Sequence, residues 1–261
     1  MKRTHTPLVI GNWKMNPGTE STAKRLYTDV RKGIARTRGV SVAIAPPAIF
    51  LHTLNRLGKS KRTMLAAQDA HQNALGSHTG ETSVTMLKNA HVSYVIVGHS
   101  ERRAAGETND VVNKKVHAVL KAGLTAVVCV GEKSRDASGR YLNHIEKQVR
   151  SVFENIAPSK LAHIVVAYEP IWAISTGDGR GHTATPEDAH EMKLFIQKTL
   201  SDMYGRNMAM KTYVIYGGSV NVKNAEELLV RGMVDGFLVG GASLRASEFV
   251  EIVKIAERHE S

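Results

Sequence analysis

The sequence predicts an α/β protein built as a single closed (β/α)8 barrel, and three observations support this prediction. Eight short runs rich in β-branched residues recur along the chain, and longer segments of helical character separate them. The chain has 261 residues, and barrels of this kind typically use about 250. A doubly wound open sheet fits the same alternation, but the strand count and the length favour the barrel. We therefore expect one domain over residues 1–261.

The predicted strands are apolar nearly throughout rather than alternating. Residues 127–130, for example, read Val-Val-Cys-Val. Strands of a parallel sheet that is covered on both faces have this composition. The eight predicted strands are 8–11, 40–45, 64–67, 92–98, 125–131, 164–168, 213–217 and 236–240.

The intervening segments carry signals for helix starts and for amphipathic faces. Thr185 and Pro186 offer an N-cap followed by proline at the first helical position. Thr108 opens a second predicted helix, and Ala225 lies in a third, shorter one. The apolar positions after Pro186 recur at helical spacing, namely Met192, Phe195, Ile196, Thr199, Leu200 and Met203.

Polar and glycine residues follow several strands at the edge where barrels place their sites. Lys14 follows the first predicted strand, His99 the fourth and Glu169 the sixth, and glycine pairs lie at 217–218 and 240–241. The carboxyl ends of barrel strands carry the active site, and the loops after the last two strands often bind phosphate through bare backbone N–H groups. This pattern indicates a cofactor-free, phosphate-binding barrel with a carboxylate base and an imidazole.

Each of these residues also has an ordinary structural interpretation. His99 is one of twelve histidines and could be structural, Glu169 could start a helix or lie on the surface, and Lys14 could be a solvated charge. A glycine pair after a strand is often only a turn. Because all of them fall at predicted strand ends, a shared site explains the set better than separate structural roles do.

Six motifs in these regions resemble the triosephosphate isomerase family, and the resemblance extends over essentially the whole chain. They occur in the family's order and near its spacing. They are GNWKMN at 11–16, GHSERR at 98–103, CVGE at 129–132, AYEPIWAI at 167–174, YGGSV at 216–220 and VGGASL at 239–244.

The resemblance implies interconversion of dihydroxyacetone phosphate and D-glyceraldehyde 3-phosphate, a step of glycolysis and gluconeogenesis, through an enediolate. Glu169 would move the proton between the two carbons, and neutral His99 would donate to the substrate oxygens. Lys14 would supply positive charge, and Asn12 a hydrogen bond to the substrate. Glu101 would position Lys14. The same residues could act on a longer ketose phosphate such as an erythrulose phosphate, and we keep that alternative.

The resemblance also implies a phosphate site and a closing loop. Backbone N–H groups of four residues would hold the phosphate, namely Ser175, Ser219, Gly240 and Gly241. Residues 170–177 would form the loop, with Trp172 as its apolar flap. Tyr216 would hold this loop closed, and Glu132 would hold it open.

Two departures from the family pattern affect that loop. The family usually has glycine where Ser175 stands, and serine can serve there as long as its φ stays negative. Residues 178–182 fill a place where the family has about one residue, which lengthens the loop's second hinge and should affect its opening rate more than the chemistry.

A third departure concerns assembly. Residues 76–81 resemble the loop that enters a neighbouring subunit, with Thr79 reaching toward Lys14 of the partner subunit, so we expect a homodimer. The family commonly has Ala-Phe where Ser77 and His78 stand. Losing that phenylalanine removes apolar burial worth about 1.5–3 kcal/mol per subunit, which puts the dimer's strength in question.

The charge and composition of the chain favour an enzyme over a nucleic-acid-binding or membrane protein. The net charge is +11, from 35 Lys+Arg against 24 Asp+Glu, with basic clusters at 31–32 and 59–62. Nucleic-acid binding is a rival hypothesis, but aromatic residues make up only 5% and do not interleave with the clusters. We expect no nucleic-acid partner, no membrane segment, no cofactor and no metal. The single cysteine, Cys129, excludes an intramolecular disulfide and suits the cytoplasm.

Overall fold

Eight parallel strands close into a barrel in the computed structural model, which describes residues 6–58, 62–174 and 184–259. Each strand pairs with its neighbours in sequence, and the last pairs with the first, with Leu8 opposite Gly236. This is the predicted single (β/α)8 TIM barrel. The strands are β1 (Leu8–Asn12), β2 (Ser41–Ala45), β3 (Met64–Ala67), β4 (Val92–Val97), β5 (Thr125–Val130), β6 (Ile164–Tyr168), β7 (Tyr213–Tyr216) and β8 (Gly236–Val239).

Helices alternate with the strands around the outside of the barrel. Short 3₁₀ helices at Pro158–His163, Ile171–Ala173 and Gly241–Leu244 supplement them. The α-helices are α1 (Glu20–Gly33), α2 (Ala48–Asn55), α3 (Val84–Asn89), α4 (Ser100–Ala104), α5 (Asn109–Lys121), α6 (Arg140–Val152), α7 (Pro186–Tyr204), α8 (Arg206–Ala209), α9 (Ala225–Val230) and α10 (Ala246–Arg258).

The predicted helix starts at α5 and α7 are confirmed. The Thr108 hydroxyl accepts a hydrogen bond from the Val111 N–H at the start of α5. At α7, Thr185 and Asp188 form a reciprocal capping box, and Pro186 occupies the first turn. These side chains satisfy backbone N–H groups that have no partner within the helix, which fixes where each helix begins.

Two hydrophobic layers hold the barrel together. One consists of strand side chains such as Ile10, Val127 and Leu238 and fills the interior of the barrel. The other joins the outward strand faces to the helices, as where Val128 and the α5 residue Val116 belong to one cluster. Both faces of the strands are therefore buried, which explains why their sequences do not alternate.

The barrel closes at a position where only glycine fits. Gly236 begins β8 with φ at +142°, and a Cβ there would lie 1.9 Å from the Leu8 carbonyl oxygen. A side chain would push β8 away from β1.

Four predicted strands are one residue longer than the observed strands at their carboxyl ends. The extra residues are Gly98, Gly131, Gly217 and Gly240. The chain bends at these glycines into the loops that carry the polar residues.

Cys129 lies on β5, faces the barrel interior and is fully buried. Burial raises the pKa of its thiol well above the ordinary value, and the negative charge of nearby Glu169 adds to this effect. The thiol therefore stays protonated, and a packing role fits it better than a nucleophilic one.

Within the described residues, no helix combines the length and the apolar character that a membrane crossing requires.

Candidate active site

Residues from distant parts of the chain meet at the carboxyl end of the barrel. Asn12 ends β1 and Lys14 follows it, His99 follows β4 and Glu169 follows β6. Asn12, His99 and Glu169 are all buried. The sheet register brings these strand ends together, because neighbouring strands of a closed parallel barrel present their carboxyl ends on one side.

Glu169 is a buried carboxylate with one anchored oxygen and one unpartnered oxygen. Its Oε2 accepts a hydrogen bond from the Ser100 backbone N–H at 2.9 Å. Its Oε1 has no hydrogen-bond partner within the described residues, although it lies 3.3 Å from His99 Nε2. The side chain is only 2% exposed. An unpartnered carboxylate oxygen in such a place is costly unless another molecule uses it.

One hydrogen bond to the His99 ring defines its tautomer. His99 caps the N-terminus of α4, and its Nδ1 accepts a hydrogen bond from the Glu101 backbone N–H at 3.2 Å. A nitrogen that accepts cannot also carry a proton, so the ring is neutral and its proton lies on Nε2. That nitrogen is the one that faces Glu169. The imidazole therefore presents an N–H donor to the site.

Lys14 is held by Asn12 and Glu101. The Lys14 backbone N–H donates to Asn12 Oδ1 at 3.0 Å, and Lys14 Nζ donates to Glu101 Oε1 at 2.6 Å. Burial alone would raise the pKa of the Glu101 carboxyl, but the hydrogen bond and charge of Lys14 lower it below its usual value. Because the Asn12 oxygen is already used, its amide nitrogen remains to donate to another molecule.

The glycine pair after β8 borders the Lys14 side chain. A Cβ at Gly240 would lie 3.6 Å from Lys14 Cε, and a Cβ at Gly241 would meet nothing within 4 Å. Neither N–H donates a backbone hydrogen bond within the described part of the chain. Ser219 lies after β7, and its carbonyl accepts from the Asn224 side chain at 2.9 Å. Ser175 and residues 178–182 lie outside the described residues.

Trp172, near the start of the predicted closing loop 170–177, is hydrogen-bonded to Glu132. The indole N–H donates to Glu132 Oε1 at 2.9 Å, and the Tyr168 hydroxyl donates to the same oxygen at 2.8 Å. The buried Tyr216 hydroxyl has no hydrogen-bond partner among the described residues. Burial raises the pKa of Tyr216, and the charges of Asp188 and Glu132 reinforce the shift. This hydroxyl therefore keeps its proton and can act as a donor.

Three polar residues next to the site were missed by the sequence analysis. Arg103 donates to the Gly98 carbonyl at 2.7 Å and to the Cys129 carbonyl at 3.2 Å, behind the turn that carries His99. Arg135 donates to Glu132 at 3.1 Å, and Gln68 donates to the Lys14 carbonyl at 2.8 Å. Arg103 lies in the quoted motif 98–103, which was a usable signal, whereas Gln68 and Arg135 lie in none of the quoted motifs.

The described residues contain no group of three or more His, Cys, Asp or Glu side chains arranged to hold a metal ion. They instead bring together a carboxylate, a neutral imidazole with an outward N–H, an ammonium group and backbone N–H donors. A carboxylate can remove a proton next to a carbonyl, and the donors and the ammonium can stabilise the oxygens that become negative.

Comparison with known proteins agrees with this chemistry. A family model described as triosephosphate isomerase matches residues 7–256. A protein named triosephosphate isomerase from Roseiflexus sp. (strain RS-1) is 42% identical over 250 residues, which cover 95% of this chain and 96% of the relative. A protein of the same name from Escherichia coli O1:K1 / APEC is 41% identical over 253 residues, covering 96% and 97%. The chain belongs to the triosephosphate isomerase family.

Proposed function

We propose that the chain interconverts dihydroxyacetone phosphate and D-glyceraldehyde 3-phosphate, with Glu169 as the base that moves the proton. The observation that carries this proposal is the pairing of Glu169 and His99, in which the free carboxylate oxygen and the imidazole Nε2 lie 3.3 Å apart. A substrate bound beside this pair would meet a base and a hydrogen-bond donor in one place.

Glu169 removes a proton from the carbon next to the carbonyl and returns it to the neighbouring carbon. Such a proton is weakly acidic, so the base must act while the oxygens are stabilised. In the structure Glu169 Oε2 accepts from the Ser100 N–H, which leaves Oε1 as the oxygen that takes the proton. General base catalysis of this kind typically contributes about 10²–10⁴-fold.

Three groups stabilise the enediolate oxygens. His99 donates from Nε2 and helps to move protons between the two oxygens, and the Asn12 amide nitrogen donates a further hydrogen bond. Lys14 supplies positive charge to both the enediolate and the phosphate, while Glu101 positions it through the 2.6 Å contact to Nζ. Removal of one such preorganised donor costs on the order of 10²–10³ in rate.

The substrate's phosphate binds at the loops after β7 and β8. The N–H groups of Gly240 and Gly241 have no backbone partner in the described part of the chain, and Lys14 Cε lies against Gly240. We include Ser219 and Ser175 in this site because of the family resemblance. Backbone N–H groups suit a phosphate because they approach it closely and need no counter-charge of their own.

The loop that begins at residue 170 covers the substrate. Trp172 bound to Glu132 is the open arrangement, and the unpartnered Tyr216 hydroxyl is the group available to hold the loop when it closes. Closure excludes water, which protects the enediolate from losing its phosphate group.

A coupled assay with both candidate substrates tests the proposed substrate. We expect kcat/KM for the triose phosphate to exceed that for an erythrulose phosphate by at least about 10-fold, because the extra carbon of the tetrose must fit under the same loop. If the triose rate is negligible beside the tetrose rate, the longer ketose phosphate is the substrate.

We also propose that the chain forms a homodimer through residues 76–81. Large apolar side chains are exposed in the segments that follow the neighbouring strands β1, β2 and β3, and exposed apolar surface is typical of an interaction site. His78, which stands where the family commonly has Phe, packs against His71 with ring centroids 3.9 Å apart and the rings tilted by 34°. The exposed fractions are 93% for Met15, 78% for Ile49, 75% for Leu75 and 56% for Met86.

Sedimentation at micromolar concentration tests the dimer. We expect a dimer for the unmodified chain and a shift toward monomer for Ile49→Asp, because the new charge would be buried between subunits. Val230→Asp is the matched control, since Val230 is 50% exposed on α9, outside the proposed interface. A monomer for the unmodified chain, or equal effects of the two substitutions, would overturn the proposed interface.

Two further proposals concern the whole chain. We treat residues 1–261 as one domain, because all eight strands, from Leu8 to Val239, belong to one closed barrel. We assign the enzyme to the cytoplasm, where a free, buried thiol such as Cys129 is usual.

A further inference from the structure

Lys14 has a backbone conformation that its side chain does not favour. Its φ is +51°, in the left-handed region. This region costs a residue other than glycine roughly 1–2 kcal/mol, so the conformation persists only where the surroundings impose it. The direction of a side chain follows from the backbone that carries it. Whatever holds the backbone of Lys14 therefore also aims its ammonium group.

The amide of Gln68 is the group that reaches this backbone from a distant part of the chain. Gln68 follows β3, and its Nε2 donates to the Lys14 carbonyl at 2.8 Å and to the Ala45 carbonyl at 2.9 Å. An amide nitrogen has two protons, and both are used here. The Ala45 carbonyl also accepts from the Trp13 N–H at 3.0 Å. One side chain thus joins the carboxyl ends of β1, β2 and β3.

The two sides of Lys14 are held by different residues. Asn12 accepts from the Lys14 N–H at 3.0 Å, so it fixes the start of the residue. Gln68 donates to the Lys14 carbonyl, so it fixes the carboxyl side of the same residue. Without Gln68, the peptide after Lys14 can rotate toward an ordinary negative φ, and Nζ moves away from its place near Glu101 and Gly240.

We propose that Gln68 is a positioning residue for the isomerase reaction. Gln68 acts on the substrate only through Lys14. This inference rests on the proposed role of Lys14. The amide nitrogen of Gln68 has no proton left to donate to the substrate, since Lys14 and Ala45 use both.

A double-mutant cycle separates this role from a merely structural one. Gln68→Met keeps the length of the side chain and removes both donors, and we expect it to lower kcat/KM by about 10- to 100-fold, as for a small misplacement of a catalytic group. In a Lys14→Met background the same change should have less than about a 3-fold effect, because the group being aimed is gone. Equal effects of Gln68→Met in the two backgrounds would contradict the proposal.

The split of the kinetic constants gives a second readout. Lys14 faces the phosphate site, so Gln68→Met should raise KM and the inhibition constant for inorganic phosphate. A lower kcat with both constants unchanged would place Gln68 elsewhere in the mechanism. Gln72→Met is the matched control, because Gln72 lies on the same loop and its side-chain oxygen has no hydrogen-bond partner among the described residues. We expect it to leave kcat/KM unchanged.

Two measurements protect the test against trivial failure. Thermal unfolding and sedimentation of each variant show whether a lost activity reflects a lost fold or a lost dimer. If Gln68→Met does not fold, Gln68→Asn takes its place in the cycle, since it keeps the amide but is one methylene too short to reach both carbonyls. If Lys14→Met alone retains full activity, the proposed role of Lys14 fails. Failure of the Gln68 inference is instead shown by a large Lys14→Met effect together with equal Gln68 effects in both backgrounds.

Discussion

Replacing Glu169 by glutamine is expected to lower kcat by at least about 10³-fold, because the substitution removes the base and little else. The glutamine carbonyl can still accept from the Ser100 N–H, which holds Glu169 Oε2 at 2.9 Å, so the side chain should stay in place. An amide is not basic enough to take the proton from carbon. The inhibition constant of inorganic phosphate should change little, since the phosphate binds elsewhere.

Steady-state kinetics of Glu169→Gln beside Glu248→Gln measure this effect. Glu248 lies on α10 and pairs with Arg245, so its substitution removes a surface carboxylate far from the reaction. We expect full activity for that control. Retained activity of Glu169→Gln would end the proposed mechanism, because no other buried carboxylate lies beside the Nε2 of His99 in the described part of the chain.

Replacing Lys14 by methionine is expected to lower kcat/KM by on the order of 10²–10³, with a higher KM, because the ammonium stabilises charge in both the substrate and the transition state. Methionine keeps much of the apolar stem that lies against Gly240. The fold should survive, because the Glu101 side chain is 61% exposed and can be hydrated once its partner is gone.

The control for Lys14→Met is Lys24→Met. Lys24 pairs with Glu20 on α1, where both side chains are about half exposed, so this variant loses an exposed lysine of the same kind. Both variants should show similar thermal unfolding. A fall in activity of equal size in both would indicate that general surface charge, rather than the placement of Lys14, supports catalysis.

The strands and helices could be predicted from the sequence because their signals are local. Residues 64–67 and 164–168 were predicted as strands with the observed bounds, since nothing but apolar residues is tolerated between two buried faces. The capping box of Thr185 and Asp188 acts within four residues. The predicted strands that end at Gly98 and Gly217 are one residue longer than the observed strands β4 and β7. The backbone conformation of a glycine depends on its tertiary contacts, which the local sequence does not show.

The composition of the site could be predicted to a similar extent, but its geometry could not. Lys14, His99 and Glu169 were each identified by their place after a strand. Which oxygen of Glu169 is free, and which nitrogen of His99 carries the proton, follows from contacts with the backbone N–H groups of Ser100 and Glu101. Those contacts depend on how β4 and β6 lie next to one another, which local patterns do not encode.

The amino-acid sequence is enough to predict the architecture, the family and the residue types of the reaction. How these residues are held depends on the folded barrel. Gln68 holds Lys14 from 54 positions along the chain, and Arg103 links the turn at Gly98 to Cys129, 26 positions away. The reason is physical: periodicity and caps arise from neighbours in the chain, whereas a hydrogen bond across strand ends exists only once the barrel has closed.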